Sequence, residues 1–294
     1  MLIKPFLKWA GGKGQILNKI RPLYPKELGS KINKYIEPFI GGGAVFFDVV
    51  TNYKLDTYII NDINKELINT YKAIQQDINS LLGYLSNITS YYKQLSIDDK
   101  DLFYYSIRKK YNNIIIDKSI NIEKAALFIF LNKTCFNGLY RVNRNNQFNV
   151  PTGKYKNPTI YDEENLLNIS QILQKVEILC GDFSTVYNHI ESNTFIYIDP
   201  PYRPLTKTSS FTNYSTYLFD DKEQIRLSTF INEADKKGAY VLASNSDPKN
   251  TSENDLFFDE LYSSKNIIRI EAQRVINSNP LRRGKITELI ISNY

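Results

Sequence analysis

Apolar residues along this chain gather in two kinds of run. Short β-branched stretches that stop at turn residues occupy 34–39, 57–62, 176–181, 195–199, 240–244 and 286–293, and they predict strands. Longer stretches with helical spacing predict helices from about Lys13, from near Ala44, over 64–75, through most of 76–135 and over 222–236. Asn137-Gly138 is a turn signal, and residues 139–150 pattern as a hairpin turning near Asn145-Asn146. Strand–helix alternation at both ends, around a helical middle that bears the hairpin, predicts an α/β protein: a doubly wound sheet interrupted by an insertion. The boundaries fall near 72 and 170, giving a discontinuous unit of residues 1–72 and 170–294 and an inserted unit of residues 73–169.

The apolar run at 194–198 ends abruptly in Asp199-Pro200-Pro201-Tyr202. Neither proline donates to a sheet ladder, so the strand must stop there. A carboxylate, a free carbonyl and an aromatic ring are then left at the carboxyl edge of a sheet, where open α/β folds hold their ligands. Two acceptors beside a flat ring suit an exocyclic amine on a nucleobase. The plain alternative is a chain stop in a tyrosine-rich protein.

A second strand end reads Glu37-Pro38-Phe39-Ile40-Gly41-Gly42-Gly43, leading into a helix. Gly41 and Gly43 permit positive φ and close approach to a ligand. Phe46 stands where the dinucleotide fingerprint needs its third glycine. Asp62 ends the next strand about twenty residues on, the usual place for a ribose-hydroxyl acceptor. Together these point to an adenosine-containing cofactor without a pyrophosphate, although a glycine turn alone is as readily structural. Gly11-Gly12-Lys13 is not a P-loop, because Leu7 and Gly14 stand where that motif needs Gly and Ser or Thr. Trp9, the only tryptophan, is either core or part of a binding surface.

Composition narrows the chemistry. Among 294 residues, 42% are hydrophobic and 23% charged, values of a globular protein. No run approaches the ~18 apolar residues that cross a bilayer, and the N-terminus lacks a signal-peptide pattern. Cys135 and Cys180 are too few for a disulfide framework and suit a reducing, cytoplasmic setting. His189 is the only histidine, which excludes paired-histidine zinc sites, and no nucleophile elbow accompanies it. No metal is expected, and proton handling falls to carboxylates, Tyr, Lys or backbone. The net charge of +6 fits a polyanionic partner. Between Glu123 and Asp162 no acid occurs, while Lys124, Lys133, Arg141, Arg144, Lys154 and Lys156 do. At the chain's acid frequency, 31 of 294, about four would be expected there. The insertion therefore carries either a nucleic-acid contact or a solvated basic face.

These motifs, in this order, resemble the DNA adenine methyltransferase (Dam) family. The match runs through Phe6-Leu7-Lys8-Trp9-Ala10-Gly11-Gly12-Lys13, then Glu37–Gly43, Asn61-Asp62, Phe136-Asn137-Gly138-Leu139-Tyr140-Arg141 and Gln147-Phe148-Asn149-Val150-Pro151. It continues in Asp199–Tyr202 and Arg283-Gly284-Lys285-Ile286-Thr287-Glu288, and so spans nearly the whole chain. The resemblance implies a Rossmann-like methyltransferase sheet with an inserted, mainly helical target-recognition domain. It also implies S-adenosylmethionine as methyl donor and duplex DNA as partner, with methylation of adenine N6 within GATC. A cognate restriction endonuclease is a further partner such systems can include. Asp199, Pro200, Pro201 and Tyr202 match the catalytic motif, while Trp9, Lys13, Gly41, Gly43, Asp62, Phe183 and Asp199 match cofactor positions. Lys8, Leu139, Arg141 and Pro151 match base-reading positions, and Phe136 with Asn137 match residues that enter the base stack. Phe136 replaces the tyrosine of some relatives, keeping a wedge and losing its hydroxyl. Two rivals stay open at this point: an amine methyltransferase acting on cytosine N4 or single-stranded RNA, and a non-catalytic nucleic-acid binder on the same fold. Cytosine-C5 chemistry is unlike this chain, because neither cysteine follows a proline.

Overall fold

A computed structural model describes residues 3–117, 119–203, 219–273 and 285–294. Seven strands form one sheet in the order β3-β2-β1-β4-β5-β7-β6. They are β1 (Lys34–Glu37), β2 (Thr57–Asp62), β3 (Val176–Cys180), β4 (Thr194–Ile198), β5 (Tyr240–Ser246), β6 (Asn266–Gln273) and β7 (Lys285–Ser292). The first five in that order are parallel, and β7 runs antiparallel to both neighbours. From β1 the chain winds outward through β2 to β3, then returns to start β4 on the other side of β1. The order therefore reverses between β1 and β4, and a crevice opens beyond their carboxyl ends.

Alternation along the strands divides two cores. Tyr35, Phe195 and Tyr197 face one side, while Ile36, Ile196 and Ile198 face the other. Every residue of β4 is buried, which explains its unbroken apolar run. One face is covered by α2 (Ala44–Asn52), α3 (Lys65–Gln76) and the inserted α4 (Ile78–Gln94), α5 (Ile97–Asn113) and α6 (Ile122–Thr134). A single apolar cluster joins Phe46 and Tyr35 to Leu85, Tyr104 and Phe130 of the insertion. The other face is covered by α8 (Asp221–Lys236) and α9 (Phe257–Leu261). Helix α7 (Glu163–Leu173) leads back to the sheet. Side-chain caps start most of these helices: Asn64, Asp77, Ser96, Asn121, Asp162 and Asp220 each accept a backbone N–H of the first turn. No helix among the described residues is long and apolar enough to cross a membrane.

The structure differs from the sequence pattern in three places. The helix expected from Lys13 is a 3-10 turn (Lys13–Gln15) followed by a single turn, α1 (Leu17–Ile20), because Pro22 ends it. The hairpin expected at 139–150 is present in short form, with one antiparallel pairing, Val142–Phe148, flanked by the backbone bonds Asn143–Gln147 and Asn149–Arg141. There the Asn143 side chain accepts the amides of Asn145 and Gln147, and Asn146 turns at φ +57°, so local polar bonds replace a longer ladder. Strand β6 and helices α7 and α9 had no counterpart in the pattern reading; β6 is a half-exposed edge strand with Arg and Glu among its isoleucines. Arg283 and Gly284 of the resembling tail lie outside the described residues.

One buried amide holds the strand ends together. Asn61 Nδ2 donates to the carbonyls of Pro38 (3.0 Å) and Gly181 (2.9 Å), tying the turns after β1 and β3 to β2. Asn61→Ala should lower unfolding free energy by about 2–4 kcal/mol, since two buried carbonyls lose their donor. Urea denaturation followed by circular dichroism measures it.

Candidate active site

Register determines which side chains meet in the crevice. Ile198 of β4 pairs with Ala243 of β5, so the next residues, Asp199 and Ser244, come side by side. Ser244 Oγ donates to Asp199 Oδ1 at 2.9 Å, and the same hydroxyl lies 3.1 Å from the Tyr197 hydroxyl. Lys13, 3% exposed, reaches in from the N-terminal arm and places Nζ 2.8 Å from the same Oδ1. Its ammonium also donates to the Gly11 carbonyl (2.9 Å) and the Tyr202 hydroxyl (2.7 Å). Asp199 Oδ1 is thus held by two donors, while Oδ2 accepts no hydrogen bond among the described residues. The Pro201 carbonyl is taken by Gln224 Nε2 (3.2 Å), itself held by Asn245, whereas the Pro200 carbonyl has no donor among the described residues. One carboxylate oxygen and one carbonyl are left to accept from a ligand.

Burial acts to lower the Lys13 pKa, but Asp199 and, further off, Glu288 outweigh it, so the ammonium stays charged above its usual range. Glu288, on β7, is raised by its own burial despite Lys13, and its Oε2 lies 3.7 Å from Lys13 Nζ. The Tyr202 phenol is raised by burial, with Asp199 and Glu288 adding, so it is neutral. Lys13 Nζ is 4.8 Å from the Tyr202 ring centroid against 2.7 Å from its hydroxyl, so the lysine meets the end of the ring and not its centre.

At the neighbouring strand ends, Asp62 accepts the amide of Gly41 (3.1 Å) and that of Asn64 (2.9 Å), so it anchors the glycine turn. Burial raises its pKa against the pull of these amides. Gly41 and Gly43 have φ of +45° and +73°. The close approach they permit is made by the protein itself: a Cβ on Gly41 would lie 2.8 Å from the Trp9 ring, and one on Gly43 2.7 Å from the Tyr71 hydroxyl. Trp9 also stacks on Tyr140, with centroids 5.7 Å apart and planes at 19°. Phe183 is 3% exposed, packed against Phe39, Phe219 and Phe230, and the Arg226 guanidinium lies 4.0 Å from its centroid. Arg226 in turn grips Asp182 through two hydrogen bonds, which hold that carboxyl well below its usual range.

The residues matched to base reading gather elsewhere along the same edge. Phe136, half exposed, and Asn137, at φ +55°, lie in the turn after α6, and the Phe136 amide donates to the Pro151 carbonyl. Arg141 is exposed and steered by Asn149 Oδ1 (2.8 Å), and Lys8 is exposed with Nζ 4.9 Å from the Tyr155 centroid. Leu139 is partly buried against the core. Ser244, Gln224 and Asn132 carry no signal in the sequence pattern, and Tyr140 and Glu288 stand in the resembling segments without a role, because their partners depend on strand order and on packing between distant segments.

Ser244→Ala removes one of the two donors on Asp199 Oδ1. It should lower the rate of group transfer about tenfold, the worth of one lost hydrogen bond of ~1.4 kcal/mol. Steady-state kinetics should assign the loss to kcat.

A family model described as D12 class N6 adenine-specific DNA methyltransferase matches residues 9–276. The chain is 48% identical to the Type II methyltransferase M.MjaIII of Methanocaldococcus jannaschii, over 100% of both chains. It is 34% identical to a DNA adenine methylase of Haemophilus influenzae, covering 98% of this chain and 92% of that one. It is 30% identical to a DNA adenine methylase of Escherichia coli, covering 98% and 94%. With the acceptors at the end of β4 and the glycine turn after β1, these matches lead to one conclusion: the chain belongs to the D12 class of N6 adenine-specific DNA methyltransferases.

Proposed function

We propose that this adenine methyltransferase uses S-adenosylmethionine as donor and acts on an adenine flipped from duplex DNA, within GATC. The observation that carries the reading is Asp199, anchored through one oxygen by Lys13 and Ser244 and open at the other, beside Pro200 and Tyr202. The donor fits the chain's own residues. Asp62 retains lone pairs for hydroxyls, Gly41 and Gly43 form the turn beneath, and Asn61 Oδ1 is a buried oxygen with no donor among the described residues. Trp9, Lys13 and Asp199 line the same edge, and Phe183 supplies an aromatic ring over which the Arg226 guanidinium lies. When bound, the donor supplies an electrophilic sulfonium methyl.

The chain's part is positioning and electrostatics. The adenine amine is a poor nucleophile, because its lone pair is delocalised into the ring. Asp199 Oδ2 and the Pro200 carbonyl would accept hydrogen bonds from its two N–H groups, which favours a tetrahedral, more nucleophilic nitrogen; as the methyl leaves the donor's sulfur as a thioether, the surplus amine proton would pass by way of Asp199 to solvent. Pro201 holds the motif's path, its carbonyl fixed by Gln224, and Tyr202 stacks on the base. Such chemistry requires the base outside the helix. Residues 73–169 act as the recognition unit: Phe136 and Asn137 enter the stack, Leu139 and Pro151 contact base edges, and Lys8 reads from the N-terminal arm. Arg141 pairs with a guanine through O6 and N7. A DNA substrate implies the cytoplasm, and a type II methyltransferase among the relatives supports a cognate restriction endonuclease as partner.

Asp199→Ala should reduce transfer of tritiated methyl groups to GATC duplexes to background while retaining DNA binding in a gel-shift assay; retained turnover contradicts the assignment. A second expectation concerns pH. Burial pushes Lys133, in the acid-free window, down to about 8, with Lys8 adding to the shift. Its charge is present below that pH and lost above it, so affinity for duplex DNA should fall as pH rises from 7 to 9. Lys133→Arg should flatten the dependence, as fluorescence anisotropy at fixed salt would measure.

A further inference from the structure

Asn132, near the end of α6 and 2% exposed, spends its whole side chain on the distant Lys8 and on the turn that follows its own helix. Its Oδ1 accepts the Lys8 amide at 2.8 Å, and its Nδ2 donates to the Lys8 carbonyl (2.8 Å) and the Gly138 carbonyl (3.1 Å). One N–H donor and two carbonyl acceptors leave a single amide orientation that satisfies all three. Lys8 and the turn at 136–138 are thereby clamped together, although about 130 residues separate them in sequence.

Two further contacts meet the clamp from other sides. Gly138 sits at φ +64°, and a Cβ there would lie 2.5 Å from the Lys8 side chain, so its missing side chain is the space through which the lysine stem passes. The Tyr155 hydroxyl accepts the Asn137 amide at 3.1 Å, and the same ring lies beneath the Lys8 ammonium. Trp9, next to Lys8, rests on the Gly41 turn.

We propose that Asn132 is a positioning residue for sequence discrimination: it sets Lys8 and the Phe136–Gly138 turn in one fixed relation, so that both address the same stretch of duplex. The inference rests on the DNA-reading roles given above to Lys8 and that turn. Asn132 touches neither base nor donor; it acts through backbone groups of the residues that do. An aspartate would not replace it, since a carboxylate would oppose two carbonyl oxygens.

The test compares methylation of a duplex carrying the preferred site with duplexes bearing single base-pair substitutions. Rates are normalised to active protein by burst amplitude, so that any loss of folded enzyme cancels. Asn132→Leu should lower the ratio of kcat/KM between preferred and substituted sites about tenfold. Gly138→Ala, which displaces the Lys8 stem from the other side, should do the same. The double variant should lose no more than the worse single one, because both act on one placement. An unchanged ratio in either variant, or additive losses in the double variant, overturns the proposal; if Asn132→Leu does not fold, Gly138→Ala decides alone. A wild-type protein that methylates no duplex would sink the functional reading instead.

Discussion

The contact between Lys13 and Asp199 draws on nearly every part of the fold. It needs the glycine turn that carries Lys13 into the crevice, the prolines that end β4 at Asp199, and the β4–β5 register that brings Ser244 alongside. It also needs β7, which brings Glu288 near the ammonium. A buried ion pair of this kind contributes little net stability, because desolvating both ions offsets their attraction. Removing either partner is another matter, with a cost of about 3–5 kcal/mol for the charge left alone. The pair therefore fixes one arrangement of the crevice more than it strengthens the fold.

That arrangement sorts the acceptors. Lys13 and Ser244 occupy one oxygen of Asp199, and Gln224 occupies the Pro201 carbonyl. The oxygens that stay open, Asp199 Oδ2 and the Pro200 carbonyl, are the ones proposed above to receive the adenine amine. From the same arm, Trp9 packs on the glycine turn and on Tyr140, and Lys8 is clamped to the turn after α6. The N-terminal arm thus runs between Asp199 and the residues matched to base reading.

Much of this was legible before the structure. Strand β2 spans the residues that its pattern indicated, and β4 differs by one residue at each end, because buried β-branched runs bounded by Asp and Pro admit little else. The strand-end positions of Asp62 and Asp199 were legible for the same reason. What pattern cannot supply is strand order: Ser244 lies beside Asp199 only because β5 follows β4 in the sheet. The glycines were read as space for a ligand, yet Trp9 and Tyr71 occupy that approach, a contact between segments far apart in sequence. The hairpin turns where the asparagines indicate but stays short, because asparagine side chains there bond the backbone. Asn132 carries no sequence signal at all, since an asparagine in an apolar helix declares its role only through its partners.

The central claim is that Asp199 and Pro200 receive the amine of an extruded adenine beside Tyr202. A crystal structure of the protein with a GATC duplex and an unreactive analogue of S-adenosylmethionine tests it most directly. The target N6 should lie within about 3 Å of Asp199 Oδ2 and of the Pro200 carbonyl, with the purine face-on to Tyr202. An adenine still stacked in the duplex, or an everted one whose N6 lies away from Asp199, would contradict it.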